Sequence, residues 1–431
     1  MQHRTITTQY LDRFRDVAGT AGELLPVTGA QRRFLLARRM DPSGRAAVVP
    51  LFFTFPRGSV DLSRLRSAAG YLAALHPALR ARPVTVRGVP ALRAADAGPR
   101  ADRVVPRPGE SAADALRRTL ADWPAEGPPL RLFLAAETAG AEGREILAVA
   151  MDHAACDEAS LGRVLAGLTD AYRDALGPGD VTAVRAAGEL DSYREAVHLQ
   201  LAAEARASGP GSLAYWSARA AALRPAPAPR PAGSGTGTGA ARHRLPLATD
   251  DSRATAFPVL LDACAAAART LHGADLVPPL GYPWGGRPAG APPALGCFLN
   301  TVLHPATAEG LTERTTSWWD DLDHADTPFD EVVHAARTAG AAWPGRLDGL
   351  LTFEDLTHRP PLRLGDATGC ETHLDGRPLQ APFAVSVSYG SDLLVRMAWD
   401  RNRFADHLAE HAFDTLLATL RTHTATAVPV G

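Results

Sequence analysis

The sequence predicts an α/β protein built from two subdomains of similar size. Three observations lead there. Helical and strand-like periodicities alternate along most of the chain, Gly- and Pro-rich connections keep the elements short, and a loose helix-strand-strand theme recurs in each half. With 431 residues and 46% hydrophobic side chains, the chain is long enough to bury two cores. The expected division is an N-terminal subdomain over 1–180 and a C-terminal subdomain over 181–431.

Residues 28–39 (TGAQRRFLLARR) and 61–75 (DLSRLRSAAGYLAAL) carry apolar side chains at helical spacing, with Leu62, Leu65, Leu72 and Leu75 on one face. LRLFLAA at 130–136 alternates as a strand does, and Ile146 to Met151 is a continuous apolar run of the kind a strand buried on both faces shows. DHAACDEAS follows directly. Beyond it Leu161, Val164, Leu165, Leu168 and Tyr172 recur at three- and four-residue steps, so this polar cluster lies on a strand-to-helix turn.

Residues 222–242 are the one low-complexity stretch, expected to form a Pro/Gly-rich solvated loop. A strand at 242–247 and a helix at about 255–271 come next. FAVSVSY at 383–389 and LLVRMAW at 393–399 flank Gly390-Ser391 as a hairpin would. A last helix, about 405–421, presents Leu408, Phe413, Leu416, Leu417 and Leu420.

Composition narrows the function. Forty-five basic and 47 acidic residues give 45 − 47 = −2, and every basic side chain is Arg, so no basic footprint for nucleic acid is present. Cys156, Cys264, Cys297 and Cys370 are widely spaced and make no CxxC pair, which argues for reduced thiols with no metal or redox couple. No stretch approaches the roughly 18 apolar residues of a membrane span, and the N-terminus lacks a signal-like apolar core. A cytoplasmic protein with no membrane partner is the expectation.

The chemistry concentrates at the end of the buried strand, where Asp152, His153 and Asp157 stand together. A neutral His153 has the pKa range to take a proton from an attacking amine or alcohol. Asp157, near the start of a helix, suits a supporting role, orienting the turn through hydrogen bonds or an Arg pair. A lone His-x-x-x-Asp is common, so spacing alone leaves open a satisfied loop histidine, a solvated Asp152 and a helix-capping Asp157. Cys156 reads as a small buried filler, since a thiolate nucleophile needs an activated and reachable sulfur.

In context, residues 145–173 resemble the HHxxxDG core motif of the condensation-domain superfamily of nonribosomal peptide synthesis, written here as DHAACDE. Other family motifs follow in order: LPVTGAQRRFLLARRM at 25–40, LHPALRA at 75–81 for RHExLRT, PPLRLFL at 128–134, AYW at 214–216 and GYPWGGRP at 281–288. LGCFLNT at 295–301 resembles IGxFVNT, and HADTPFDEVV at 324–333 resembles HxDxPFxxLV.

The resemblance implies two chloramphenicol-acetyltransferase-like subdomains in a V-shaped pseudo-dimer, with His153 midway along a central tunnel. It implies an acyltransferase of natural-product, antibiotic-type biosynthesis. An acyl or peptidyl carrier protein would present the donor as a thioester on a 4'-phosphopantetheine arm. A small-molecule or carrier-bound amine or hydroxyl would attack, giving an amide or ester with no bound cofactor. Because the resemblance spans nearly all 431 residues, a free-standing, monomeric enzyme is expected.

Two departures qualify this. Asp152 replaces the first His of the motif, and its charge is expected to raise the His153 pKa and weaken the base. Glu158 replaces Gly and is expected either to narrow or redirect the tunnel or to act as a first-turn helix residue. Asp152, Asp157 and Ser160 also fit DxxxxDxxS, the signature of heterocyclisation domains, and a condensation-like recruitment domain without transfer activity remains an alternative. Arg287 and Arg80 are the ion-pair candidates, Arg287 as the distant partner of Asp157. Asn300 is expected near the tunnel, with a loop hydrogen bond as the alternative. Ser386 and Ser388 share one strand face, expected to line the tunnel, with solvent as the alternative, and Trp318-Trp319 are expected to pack as core or seam aromatics.

Overall fold

In the computed structural model the described residues are 4–19, 24–40, 47–95, 98, 100–123, 127–137, 143–225, 237–246, 253–376 and 379–425. The apolar run of the motif region becomes the strand Arg144–Asp152. Its side chains alternate between two apolar layers, as a pleated strand requires. Leu147, Val149 and Met151 enter the larger core, while Ile146, Ala148 and Ala150 join Phe52, Phe133, Leu116 and Trp123 on the opposite face. The strand is central in a five-stranded sheet, flanked by Val48–Pro56 and Leu130–Ala136 and antiparallel to both. Cys370–Thr372 adds one edge, antiparallel to Val48–Pro56, and Arg100–Val104 adds the other, parallel to Leu130–Ala136. Fully burying each large aliphatic side chain here contributes about 1.5–3 kcal/mol.

The chain forms two compact units that interleave in sequence. The first holds Met1–Ala205, Gly285–Leu299 and Arg359–Leu374, and the second holds Arg206–Trp284, Asn300–His358 and Asp375–Gly431. This differs from a single division after residue 180. The reason is the helix Ala183–Ala207, which buries Tyr193, Ala196, Val197 and Leu201 in the first core. Of the Pro/Gly-rich stretch 222–242, residues 226–236 lie outside the described residues.

The second unit is organised by a six-stranded sheet in the order Leu299–Pro305, Pro279–Gly285, Gly349–Asp355, Phe383–Tyr389, Asp392–Asp400 and Thr238–Pro246. The expected hairpin is present, with Phe383 opposite Trp399 and Tyr389 opposite Leu393. Val385 and Val387 face the apolar core.

In the second unit a polar network is built around the buried Asp321, His304 and Arg314. Asp321 accepts from the Tyr215 hydroxyl at 2.7 Å, from Arg219 at 2.8 and 2.9 Å and from His304 Nδ1 at 2.9 Å. Arg314 donates to His304 Nε2 at 3.2 Å and to Asp262 at 2.8 Å. His304 is therefore a neutral imidazole carrying its proton on Nδ1.

Burial lowers the pKa of His76, His153, His304 and His272 below the ordinary histidine value. Each stays neutral in the fold but takes a proton in the unfolded chain below about pH 6.5, so stability present above that pH is lost as the medium acidifies. His272, lowered to about 4, alone accounts for roughly 3 kcal/mol across this window. Urea denaturation between about pH 7.5 and about pH 4.5 is expected to show a falling midpoint, steepest below about pH 6.5. A flat profile would show that these rings are solvated.

Candidate active site

The buried strand stops at Asp152 because the chain turns there into a short 3-10 helix, His153–Ala155. Asp152 caps this turn, its Oδ1 accepting from Ala154 N at 3.0 Å, and its Oδ2 pairs with Arg38. The His153 amide donates to Ala47 O at 2.7 Å, which fixes the backbone that carries the ring. His153 Nδ1 lies 3.3 Å from the Cys156 carbonyl, and since a carbonyl only accepts, the proton is on Nδ1. Nε2 keeps its lone pair. A neutral imidazole in this tautomer has a nitrogen that can accept a proton.

The pKa of His153 moves opposite to the sequence expectation. Burial is the largest influence and pushes it below the ordinary histidine value, although the residue as a whole is half-buried. The hydrogen bond to Cys156 and the charges of Asp152 and Asp157 pull it upward by less. Asp152 does raise the pKa, as the sequence led one to expect, but burial of the ring lowers it by more, so the net direction is reversed. His153 is neutral at physiological pH and competent to accept a proton.

Asp157 is the N-cap of the helix Glu158–Arg173. Its Oδ1 accepts from Ser160 N at 2.9 Å and from the Ser160 hydroxyl at 2.8 Å, and its Oδ2 accepts from Phe298 N at 3.1 Å. Arg287 pairs with it at 3.3 Å and lies over the Phe298 ring at 4.6 Å. With both oxygens engaged by protein donors, Asp157 organises the turn and is placed away from proton transfer. Ser160 is likewise taken up, its hydroxyl contacting Gly296 O at 2.8 Å and Gly296 N at 3.0 Å. A Cβ at Gly296 would lie 2.5 Å from the Phe298 ring, so this close approach requires glycine. Asp152, Asp157 and Ser160 are all held in structural contacts, which gives no support to the cyclisation reading.

The remaining candidates separate clearly. The Glu158 carboxylate turns to Arg359 at 2.6 Å, and the nearly buried Arg359 also holds Glu371 at 2.5 Å. Arg80 forms no ion pair among the described residues; its Nε is buried without a hydrogen-bond partner, while the neighbouring His76 pairs with Glu189 at 3.0 Å. That corrects the expectation of an ion-paired Arg80: among the described residues no carboxylate lies within ion-pair distance of it. The Asn300 carboxamide donates to Ala325 O at 2.7 Å and Thr327 O at 2.6 Å and accepts from Phe329 N at 3.2 Å, the loop-bonding alternative. Ser386 and Ser388 share a buried sheet face, Ser386 meeting Thr352 at 2.9 Å and Ser388 meeting Glu354 at 3.0 Å and Arg396 at 2.8 Å. Trp318 is buried in the second core, but Trp319 is exposed. Cys156 is wholly buried, and burial pushes its thiol well above the ordinary value, so it is a filler.

Sequence reasoning passed over three residues that build the site. Thr28 and Gln31 form a capping box for the helix Gly29–Met40, with Thr28 N donating to Gln31 Oε1 at 3.0 Å and Gln31 N donating to Thr28 Oγ1 at 3.3 Å. Gln31 also donates to Ala154 O at 2.8 Å, tying this helix to the His153 turn. Phe34, one turn on, stacks on the His153 ring with centroids 4.3 Å apart. The T-x-x-Q spacing was the available signal for the capping box; nothing in the sequence marked Phe34 as more than a core aromatic. Among the described residues, no group of three His, Cys, Asp or Glu side chains is arranged to hold a metal ion.

Comparison with solved structures identifies the fold. The chain superposes on the first condensation domain of the calcium-dependent antibiotic synthetase, in complex with a substrate analogue, with a TM-score of 0.68 at 17% identity, covering 94% of this chain and 97% of that one. The chain has the fold seen in condensation domains. The same fold is seen in the X-domain from teicoplanin biosynthesis (TM-score 0.66, 18% identity, 94% of this chain and 96% of that one). The SgcC5 protein from Streptomyces globisporus is similar as well (TM-score 0.64, 18% identity, 93% of this chain and 98% of that one). No family model matches the chain, and no curated protein matches it. Within the condensation-domain fold, no described helix is long and apolar enough to cross a membrane.

Proposed function

We propose that the protein is a condensation-type acyltransferase that joins a carrier-bound acyl or aminoacyl thioester to an amine or hydroxyl. The donor arrives on the 4'-phosphopantetheine arm of an acyl or peptidyl carrier protein, and the protein itself holds no cofactor. His153 Nε2 accepts the proton of the nucleophile as the new C–N or C–O bond forms at the thioester carbonyl. The C–S bond then breaks, and the thiol leaves with that proton. Most of the rate gain comes from holding the two reactants in register.

The observation that carries this reading is the neutral, Nδ1-protonated His153 at the end of a buried strand, its other nitrogen bearing the lone pair. Transfer from an acyl-carrier donor to a soluble amine, followed by mass spectrometry, is the test. His153→Ala is expected to lower the rate by about 10²–10⁴-fold. In the parent protein the acidic limb of the pH-rate profile is expected below about pH 6.5, because burial lowers the pKa of the base. Unchanged product formation by His153→Ala overturns the role of the ring.

A second reading is docking without transfer. It is favoured by the likeness to the X-domain, one structure of which is a complex of that domain with OxyB. No transfer by the parent protein to any amine or hydroxyl, together with stable binding of a partner enzyme, would select it.

A further inference from the structure

We infer that Phe34 is a positioning residue for His153, holding the imidazole plane at the angle from which Nε2 meets the nucleophile. This rests on the reading of His153 as the base and extends it to a residue on another element. The Nδ1 contact to Cys156 is 3.3 Å long, at the weak end for a hydrogen bond, and a single in-plane bond leaves the ring free to tilt about its own axis. The Phe34 face supplies the missing restraint. Its ring lies 4.3 Å from the imidazole, with an interplanar angle of 23°, a stacked contact that a tilted imidazole would lose.

Phe34 is itself rigidly placed. It sits among Ala30, Ala154 and Cys297 in a small apolar cluster, on a helix whose start is fixed by the Thr28–Gln31 capping box and by Thr28 Oγ1 donating to Cys297 O at 2.9 Å. Gln31 and Phe34 are three residues apart and therefore neighbours on one helix face. Gln31 holds the backbone of the turn through Ala154 O, and Phe34 holds the ring that the same turn carries. The helix thus grips the turn at two points. The apolar face of Phe34 also keeps water from one side of the imidazole, in keeping with its depressed basicity.

The experiment compares Phe34→Leu, Phe34→Met and Phe34→Tyr. The first readout is the NMR titration of the His153 ring, assigned against His153→Gln, and the second is the pH profile of acyl transfer. Leucine and methionine are expected to move the His153 titration upward toward the ordinary histidine value. They are also expected to lower kcat about ten- to a hundredfold with little change in KM for the donor, the scale of a misplaced reacting group. Tyrosine, which keeps the aromatic face, is expected to restore both.

If leucine does not fold, methionine, closer in size, carries the comparison. A folded Leu or Met variant whose His153 titration and kcat match the parent overturns the inference. Parent-like transfer by His153→Ala would instead overturn the proposed function, and the titration would still decide whether Phe34 sets the ring.

Discussion

Asp321→Ala is expected to destabilise the second unit by about 3–5 kcal/mol, the cost of removing one partner from a buried charge pair. Asp321 is fully buried, and its carboxylate is the common acceptor for Tyr215, Arg219 and His304. Alanine leaves the Arg219 guanidinium without its counter-charge and the His304 Nδ1–H without its acceptor. Asp321→Asn keeps the shape and some of the hydrogen bonds, so it is expected to lose less. Tryptophan fluorescence during urea denaturation reads this directly, because of the seven tryptophans only Trp123 belongs to the first unit. An unchanged midpoint in the alanine variant would show that the network contributes nothing net.

Asp157→Ala is expected to have a comparable effect on the first unit, about 3–5 kcal/mol, because it combines a lost helix cap with a stranded guanidinium. Arg287, Ser160 and Phe298 N all converge on this carboxylate. The amides of Gly296 and Phe298 are expected to exchange hydrogen faster, since one bonds Ser160 and the other bonds Asp157. Transfer is expected to fall as well, because the turn carrying His153 loses its anchor. Asp157→Asn separates the two contributions, keeping the cap and removing the charge. Parent-like exchange at Phe298 in the alanine variant would show that the carboxylate does not hold that segment.

The strand-to-helix turn was legible because it is local: a buried apolar run, a polar cluster and a three-to-four periodicity lie within one stretch of chain. That Asp157 needs a cationic partner was legible from charge, since a buried carboxylate requires one, but the choice of Arg287 over a surface arginine was decided only by the fold. The sign of the His153 shift was not, because it depends on how deeply the ring is packed, which is not encoded in the spacing around His153. The long helix Ala183–Ala207 went unread because its buried stripe mixes Tyr193, Val197 and Leu201 with Ala196, Gln200 and Glu204, a weak apolar signal. The Asp321 network was equally hidden, as its members come from separate helices and a strand with no shared motif.

The sequence motifs gain a common explanation in the fold, since they are one another's hydrogen-bond partners. Thr28 reaches Cys297, Gln31 reaches Ala154, and Asp157 reaches Arg287 and Phe298. Asn300 reaches Ala325 and Thr327, and Trp216 donates to His324 O at 3.1 Å. Within the first unit, the contacts of Thr28, Gln31 and Asp157 thus fix backbone on either side of the turn that carries His153.

The interleaving of the first unit bears on how a nascent chain matures. A ribosome that has released only residues 1–205 has delivered Asp157 without Arg287, Thr28 without Cys297, and the strand Val48–Pro56 with an uncovered edge. The N-terminal unit is therefore completed only after residue 374 has emerged, by which time much of the second unit has been synthesised. Folding during translation proceeds here by late closure and not by sequential release of finished halves.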